Sequence, residues 1–378
     1  ERERERAMAM AAAKEVKRRT ARLLVRKLIS ASSDGDASAV DEAISEIRHH
    51  SKHDPDFRPL LADAGAVPLL AHHLLLFSPS NHLNDAHTNT SSSSSQEDAA
   101  AALLNLSICS REPLMATPGL LDALSATLRP PASPLASQHA AATLYSLLSV
   151  DAYRPIIGAK ADIVSALVAM LRPAASRHAS PTRSVKDALK ALFAIALYPL
   201  NRAAVVQLGA VPALFSLVVK DGRAGIVEDC TAVVAQVAGC EESVEAFRRV
   251  SGVEVLVDLV DAATGASARS RENAAAALLS LALSGGERAV DDIREVETAV
   301  PAVRDLADTG TTPRAKSKAG ALLAILVDGR HHQEQQQQWL SSSDGPLGSP
   351  PRSAPSADGP FCLSDSDWCS DPERSTEV

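Results

Sequence analysis

A repeated pair of helical segments most constrains how this chain can fold. An Ala- and Leu-rich segment such as 273–285 (NAAAALLSLALSG) recurs along the sequence, and so does a segment that begins Gly-Ala-Val-Pro, as at 65–74 and 209–218. One such pair cannot bury its apolar face alone, so it must stack on its copies. Because aromatic residues make up only 3% of the chain, the core must consist of aliphatic side chains, which suits close helix packing. The sequence therefore predicts an all-α repeat protein.

The spacing of the repeats indicates which kind of helical repeat they form. One hydrophobic residue follows each Gly-like start, and its copies lie 42 to 54 residues apart, close to the ~40–47 residues of armadillo and HEAT repeats. These residues are Val67, Leu121, Val164, Val211, Val253 and Val300. The final helix of each unit aligns in the same way, as in ALLNLS at 102–107 and ALLSLA at 277–282. About six units are predicted.

The repeats are predicted to occupy residues 65–330, with a disordered insert at 78–95 that lacks core-forming side chains. After them, residues 331–378 are rich in Gln, Ser, Pro and Gly and are predicted to be a disordered tail. A helical cap is expected ahead of them at 14–64.

The first residues, 1–13, are expected to be disordered or a translated leader. They open with alternating Glu and Arg, which a GAGAGA nucleotide tract encodes in frame, so Met8 or Met10 would be the true start.

A basic segment lies between Lys14 and Ser30, with seven basic residues and one acidic residue. Val16, Leu23, Leu24 and Leu28 can share one helical face. Three interpretations are open: a nuclear-import signal, a helix that lies on an anionic membrane, or a capping helix with a solvated basic face.

Charge and cysteine content exclude several classes of protein. The net charge is −8, whereas a general nucleic-acid binder needs a basic surface, so no nucleic-acid partner is expected. The five cysteines lack metal-ligand spacing and are odd in number, which favours reduced thiols in an intracellular protein, cytoplasmic or nuclear. No signal peptide is visible, and no apolar run reaches the ~20 residues of a membrane span, so stable membrane insertion is not expected.

The repeat residues resemble a known family. G-A-V-P-x-L followed by A-A-x-A-L-x-N-L-S resembles the armadillo repeat, and Leu200-Asn201-Arg202 resembles its N-R-x-x-I link. The segment 46–70 (EIRHHSKHDPDFRPLLADAGAVPLL) is similar to the first armadillo unit of plant U-box proteins. The resemblance covers roughly residues 20–330 and implies a right-handed armadillo superhelix.

Departures from the family limit what the resemblance implies. A U-box should lie upstream with a Cys-Pro-Ile motif, but the first cysteine is Cys109, so ligase activity does not follow from this chain. Importin-like relatives place Trp and Asn four residues apart on the last helix of a unit. Here only Asn105 fills the Asn position and Ala101 stands at the Trp position, so binding of basic import signals by such a ladder is not expected.

No catalytic or cofactor-binding motif occurs, and the prediction is therefore a non-enzymatic adaptor without cofactor or metal. It would bind extended segments of other proteins through the concave groove of the solenoid, which the last helix of each unit is expected to line. The alternative is a component or substrate receptor of a ubiquitin E3 ligase. The predicted groove residues are Asn105, Ser146, Lys186, Lys190, Asp229, Gln236, Asn273 and Ser280.

Overall fold

The computed structural model describes residues 2–77, 91–130, 132–172 and 182–328, and every regular element in these ranges is helical. The predicted all-α fold is confirmed. In chain order the helices are α1 (Arg2–Asp34), α2 (Ala37–His53), α3 (Phe57–Asp63), α4 (Ala66–Leu76), α5 (Ser91–Ser107), α6 (Arg111–Met115), α7 (Leu120–Thr127), α8 (Pro134–Leu148), α9 (Arg154–Gly158), α10 (Ala161–Met170), α11 (Thr182–Ala196), α12 (Arg202–Gln207), α13 (Ala210–Asp221), α14 (Ala224–Val237), α15 (Glu242–Arg248), α16 (Gly252–Val260), α17 (Ala268–Glu295), α18 (Ala299–Thr309) and α19 (Pro313–Asp328).

The chain forms two compact units, Glu1–Ile195 and Ala196–Val378. In its described residues the first unit holds α1, α2 and three repeats of three helices, α3–α5, α6–α8 and α9–α11, of which α11 ends one residue past the boundary. The described part of the second unit holds three further repeats, and α17 contributes to two of them.

The third helices of successive repeats stack on one another. In the first unit α2 packs on α5 and α5 on α8, and in the second unit α14 packs on α17 and α17 on α19. Each third helix places one aliphatic side chain, fully buried, at the same position of the repeat. These residues are Leu103, Leu144, Leu192, Val234, Leu278 and Leu322. Leu278 and its equivalents therefore belong to the core.

Helix α17 consists of two helices joined at a pair of glycines. Gly286 has a φ of 58° and a ψ of −147°, which interrupts the helix and which glycine adopts without steric cost. A Cβ atom on the preceding Gly285 would lie 2.5 Å from Cγ2 of Val244. The first half of α17 is therefore the third helix of the fifth repeat, and the second half opens the sixth repeat.

Two predicted boundaries differ from the structure. Residues 2–13 belong to α1, so the prediction of disorder over 1–13 is wrong for them, because Ala, Met, Glu and Arg all favour helix. Residues 91–95 of the predicted insert begin α5, and Ser95 is buried with its Oγ 2.8 Å from Nε2 of His73. Residues 78–90 of the insert and the predicted tail, 331–378, lie outside the described residues.

The first repeat also begins earlier in the chain than predicted. Helix α3 occupies the place of the short first helix in its repeat, so the first repeat begins at Phe57, not at Gly65. The predicted cap then consists of α1 and α2.

Candidate peptide-binding face

The predicted groove residues lie on the third helices, and they fall into two groups by burial. We call the place that Asn105 holds in its repeat the Asn position. Its other occupants are Ser146, Ala194, Gln236, Ser280 and Ala324. In the first unit the predicted residues are half-exposed, whereas in the second unit most are buried.

Asn105 bonds to α2 of the cap, and Ser146 bonds to the preceding third helix, α5. Nδ2 of Asn105 donates to Oγ of Ser51 at 3.1 Å, and Oγ of Ser146 donates to the carbonyl oxygen of Ser107 at 3.1 Å. Among the described residues no group donates to Oδ1 of Asn105. The Asn105 amide therefore keeps an acceptor and one N–H for another molecule.

Basic side chains lie on α11, the last third helix of the first unit. Lys186 and Lys190 are half-exposed and Arg183 is exposed, and the three are spaced so that they share one helical face. None of them forms an ion pair with a described residue. This face therefore carries positive charge that no described residue neutralises in an ion pair.

His139 on α8 lies close to the basic side chains of α11. Its Nδ1 is buried without a hydrogen-bond partner in the described part of the chain. Burial, followed by the positive charge of Arg48, lowers the pKa of His139. Arg48 itself pairs with Asp98 of α5.

In the second unit the structure contradicts the predicted groove. Gln236, Asn273 and Ser280 are 3%, 1% and 8% exposed, so the expectation that Gln236 and Asn273 lie outside the core is wrong. Small residues such as Ala232 and Ala276 bring α14 and α17 close enough to cover these side chains.

The buried amides bond inside the second unit. Oε1 of Gln236 accepts from Arg202 at 3.3 Å, and Nδ2 of Asn273 donates to the Glu228 carbonyl oxygen at 3.2 Å and to Oγ1 of Thr231 at 3.3 Å. Asp229 is half-buried. Gln236 and Asn273 therefore hold neighbouring helices together.

A further set of contacts, which the sequence reasoning missed, links successive third helices. A side chain eight residues before the Asn position reaches a hydroxyl at or near the start of the next third helix. The pairs are Glu97 with Ser133, Gln138 with Ser184 at 3.5 Å, Glu228 with Ser267 at 2.6 Å, and Glu272 with Thr312 at 2.5 Å. Ser133 and Ser267 also cap their helices by accepting from a backbone N–H. The sequence signal for these contacts is a Ser or Thr at or just before the start of each helix.

Arginines of the first helices bind carbonyl oxygens near the ends of α2 and of the third helices. Arg202, part of the predicted link, donates from Nε to Ala196 O at 2.9 Å, where the negative end of the α11 dipole lies. The equivalent bonds to a preceding helix run from Arg58 to Ser51 at 2.9 Å and from Arg154 to Leu148 at 3.2 Å. Two further arginines bond to the third helix of their own repeat, Arg111 to Ser146 at 2.8 Å and Arg294, in the last turn of α17, to Leu326 at 3.0 Å.

Two of the cysteines in the described ranges, Cys230 and Cys240, have raised thiol pKa values. Burial raises the pKa of the Cys240 thiol to about 11 and raises that of Cys230 further, so both stay protonated near neutral pH. No group of His, Cys, Asp and Glu in the described ranges could hold a metal ion.

No single described helix is long and apolar enough to cross a membrane. Two bent pairs reach the needed length and composition only when each is taken together, Phe57–Asp63 with Ala66–Leu76 and Thr182–Ala196 with Pro199–Gln207.

Three-helix repeats that stack through their third helices define a helical-repeat protein, a class that binds through extended surfaces. The chain belongs to the family described as the plant U-box protein ARM repeat region, which it matches over residues 23–334. The predicted armadillo class and its plant branch are both confirmed.

Individual relatives agree with this family. The chain is 30% identical over 305 residues to U-box domain-containing protein 16 of Arabidopsis thaliana, a match that covers 80% of this chain and 40% of the relative. It is 26% identical over 319 residues to U-box domain-containing protein 19 of the same plant, covering 83% and 43%. The chain thus spans about two fifths of these relatives. An engineered protein of known crystal structure matches with a TM-score of 0.63 at 24% identity, over 86% of this chain and 74% of that one, which supports the fold.

Proposed function

We propose that this chain is a non-enzymatic scaffold that binds an extended segment of another protein along the third helices of its first unit. Membership of an armadillo repeat family supports a protein-interaction role. The observation that carries the placement is Asn105, a half-exposed amide at the Asn position whose Oδ1 accepts no hydrogen bond from a described residue.

An extended peptide presents N–H and C=O groups along its backbone, and a primary amide can bind both. Oδ1 of Asn105 would accept from a peptide N–H while the second Nδ2 hydrogen donates to a carbonyl oxygen. Ala101 and Ala142, one turn before Asn105 and Ser146, have short side chains that let a peptide backbone approach. Lys186 and Lys190 would attract an acidic side chain of the bound segment.

The test starts from peptides selected from a random library with the full chain. The Kd of a selected peptide is then measured by fluorescence anisotropy for the unsubstituted chain, for Asn105→Ala and for Gln207→Ala. Gln207 is an exposed amide in the second unit and serves as the matched control. Loss of two hydrogen bonds of roughly 0.5–1.5 kcal/mol each should weaken binding about tenfold in Asn105→Ala only. Equal affinity of all three proteins would move the binding site off this face.

A second function is proposed on the strength of the family. The chain would act as a substrate receptor, or as the armadillo part, of a ubiquitin ligase related to plant U-box proteins. An autoubiquitination assay on this chain alone should be blank, because the chain carries no Cys-Pro-Ile motif. A U-box encoded upstream in the same reading frame of the transcript would favour the ligase function over a free adaptor.

The place of action is proposed to be the cytoplasm or the nucleus. Microscopy of a fluorescently tagged chain tests this, and a signal confined to the secretory pathway would contradict it.

A further inference from the structure

The cations of α1 separate into two groups by the side of the helix they occupy. Lys17 faces the rest of the unit, with its Nζ 2.7 Å from Asp54 and 2.8 Å from Asp56. Lys27 likewise lies 3.1 Å from both Glu42 and Glu46 of α2. These two lysines have a structural role, because they join α1 to its neighbours.

The opposite side of α1 has no such role. Arg22 and Arg26 are exposed and pair with no described residue, and Arg19 is exposed and pairs only with Glu15 of the same helix. We call the side formed by Val16, Arg19, Arg22, Leu23 and Arg26 the outer face of α1. The core contacts of the helix come from the other side, through Ala21, Leu24, Val25, Leu28 and Ala31.

The outer face also exposes large apolar side chains among its arginines. Val16 is 63% exposed and Leu23 is 61% exposed, and Val16, Arg19, Leu23 and Arg26 recur at helical spacing along one stripe. A capping role accounts for the buried leucines, but it does not account for exposed Val16 and Leu23 between three arginines. Residues 1–22, which hold part of this face, precede the part of the chain that matches the family.

We infer that the outer face of α1 binds the surface of an anionic lipid bilayer. Arginine pairs with lipid phosphate through its planar fork of N–H donors, and its aliphatic stem lies along the apolar boundary. Val16 and Leu23 lie where they would enter that boundary, and a helix in this position lies in the membrane plane and does not cross it. The helix has 33 residues and is about 50 Å long, which suits a flat surface.

Charge complementarity favours an anionic bilayer as the partner of the outer face. Between Lys14 and Ser30 the single acidic residue is Glu15, whereas the whole chain carries a net charge of −8. An anionic bilayer would therefore repel most of the protein and attract this helix, which fixes the orientation of the bound chain. The inference does not depend on the peptide-binding face, since the outer face shares no residue with it.

Vesicle flotation with the full chain tests the proposal. We expect binding to vesicles of phosphatidylcholine with about a third phosphatidylserine, and none to phosphatidylcholine alone. Each arginine at an anionic surface contributes roughly fivefold to partitioning, so Arg19→Ala with Arg22→Ala and Arg26→Ala should lower the partition coefficient about a hundredfold. The matched control replaces three exposed arginines elsewhere, Arg249, Arg288 and Arg304, and should bind almost as the unsubstituted chain does.

A second variant separates entry of apolar side chains into the bilayer from adsorption by charge alone. Val16→Ser with Leu23→Ser keeps every charge and should still weaken vesicle binding severalfold, because it removes the groups that enter the bilayer. Circular dichroism melting of each variant checks that the fold is intact. Three outcomes overturn the proposal: no binding to anionic vesicles, an equal loss in the control triple, or full binding by the serine pair. The last outcome would show that charge alone adsorbs the helix and that Val16 and Leu23 do not enter the bilayer.

Discussion

Ser251 has a left-handed backbone conformation that glycine adopts at equivalent positions of other repeats. Its φ is 48°, and it precedes α16, just as Gly65 and Gly209, with φ of 93° and 84°, precede α4 and α13. A left-handed backbone costs a residue with a Cβ atom about 1–2 kcal/mol, and glycine avoids that cost. The turns before α4, α13 and α16 therefore impose the same geometry on different residues, whereas Lys160 before α10 and Thr298 before α18 have φ of −81° and −80°.

Replacing Ser251 by Gly should stabilise the protein. We expect a gain of about 0.5–1 kcal/mol in the free energy of unfolding, since glycine relieves the strain but adds entropy to the unfolded chain. Urea unfolding measures the difference. The reciprocal change, Gly209→Ser, should lose about 1 kcal/mol, and a loss in both variants would show that the Ser251 side chain has a stabilising contact.

His73 should make stability depend on pH. Burial lowers its pKa from 6.5 to about 4, so protonation favours the unfolded chain. The contribution of neutral His73 to the free energy of unfolding is fully present above the unfolded pKa. It is lost as pH falls from about 6.5 towards 4.

The expected loss for His73 is about 2 kcal/mol between pH 7 and about pH 5, measured by urea unfolding. His73→Gln should lack this part of the pH dependence, whereas His72→Gln, at an exposed neighbour, should retain it. Identical pH profiles for both variants would contradict the assignment to His73.

At the scale of helices, local pattern predicts which segments fold and tertiary contact decides what they bury. The third helices follow from Ala and Leu periodicity, which is a local property, and Leu278 is buried as that periodicity predicts. Five consecutive serines at 91–95 look like linker, yet the contact of Ser95 with His73 places them in α5. Burial of Gln236 and Asn273 depends on how closely α14 approaches its neighbours, which spacing in the sequence does not report.

Asn273 should behave as a core residue. Asn273→Ala leaves the carbonyl oxygen of Glu228 and the hydroxyl of Thr231 without their amide donor, which should cost about 1–3 kcal/mol. Asn105→Ala loses one bond at a half-exposed site and should cost less than about 1.5 kcal/mol. Thermal unfolding of the two variants compares them directly. A smaller loss for Asn273→Ala would return that residue to the binding surface.

Leu278→Ala tests the core of α17. Leu278 is fully buried, so the substitution should cost about 2–5 kcal/mol, and α14 and α19 should lose protection from hydrogen exchange because both pack on α17. Leu283, 57% exposed on the same helix, is the control, and its Ala variant should unfold almost as the unsubstituted chain does. Equal unfolding of the two variants would remove Leu278 from the core.

For the molecule as a whole, the two compact units divide the predicted groove unequally. The four predicted residues of the first unit, Asn105, Ser146, Lys186 and Lys190, are half-exposed. In the second unit Gln236, Asn273 and Ser280 are buried, and only Asp229 is half-buried. A ligand that binds the third helices should therefore find its polar contacts in Glu1–Ile195.

Hydrogen exchange of the chain, measured with a selected peptide bound, should show that the binding surface lies in the first unit. Peptide at about a hundred times its Kd stabilises the folded chain by about 2.7 kcal/mol, which raises the Tm. New protection should appear in α5, α8 and α11, because an extended segment bound there covers the ends of these helices and slows their local opening. In Asn105→Ala the same peptide concentration should give a smaller rise in Tm, by mass action alone. Protection confined to α14 and α17 would place the partner on the second unit and require Gln236 or Asn273 to become exposed on binding.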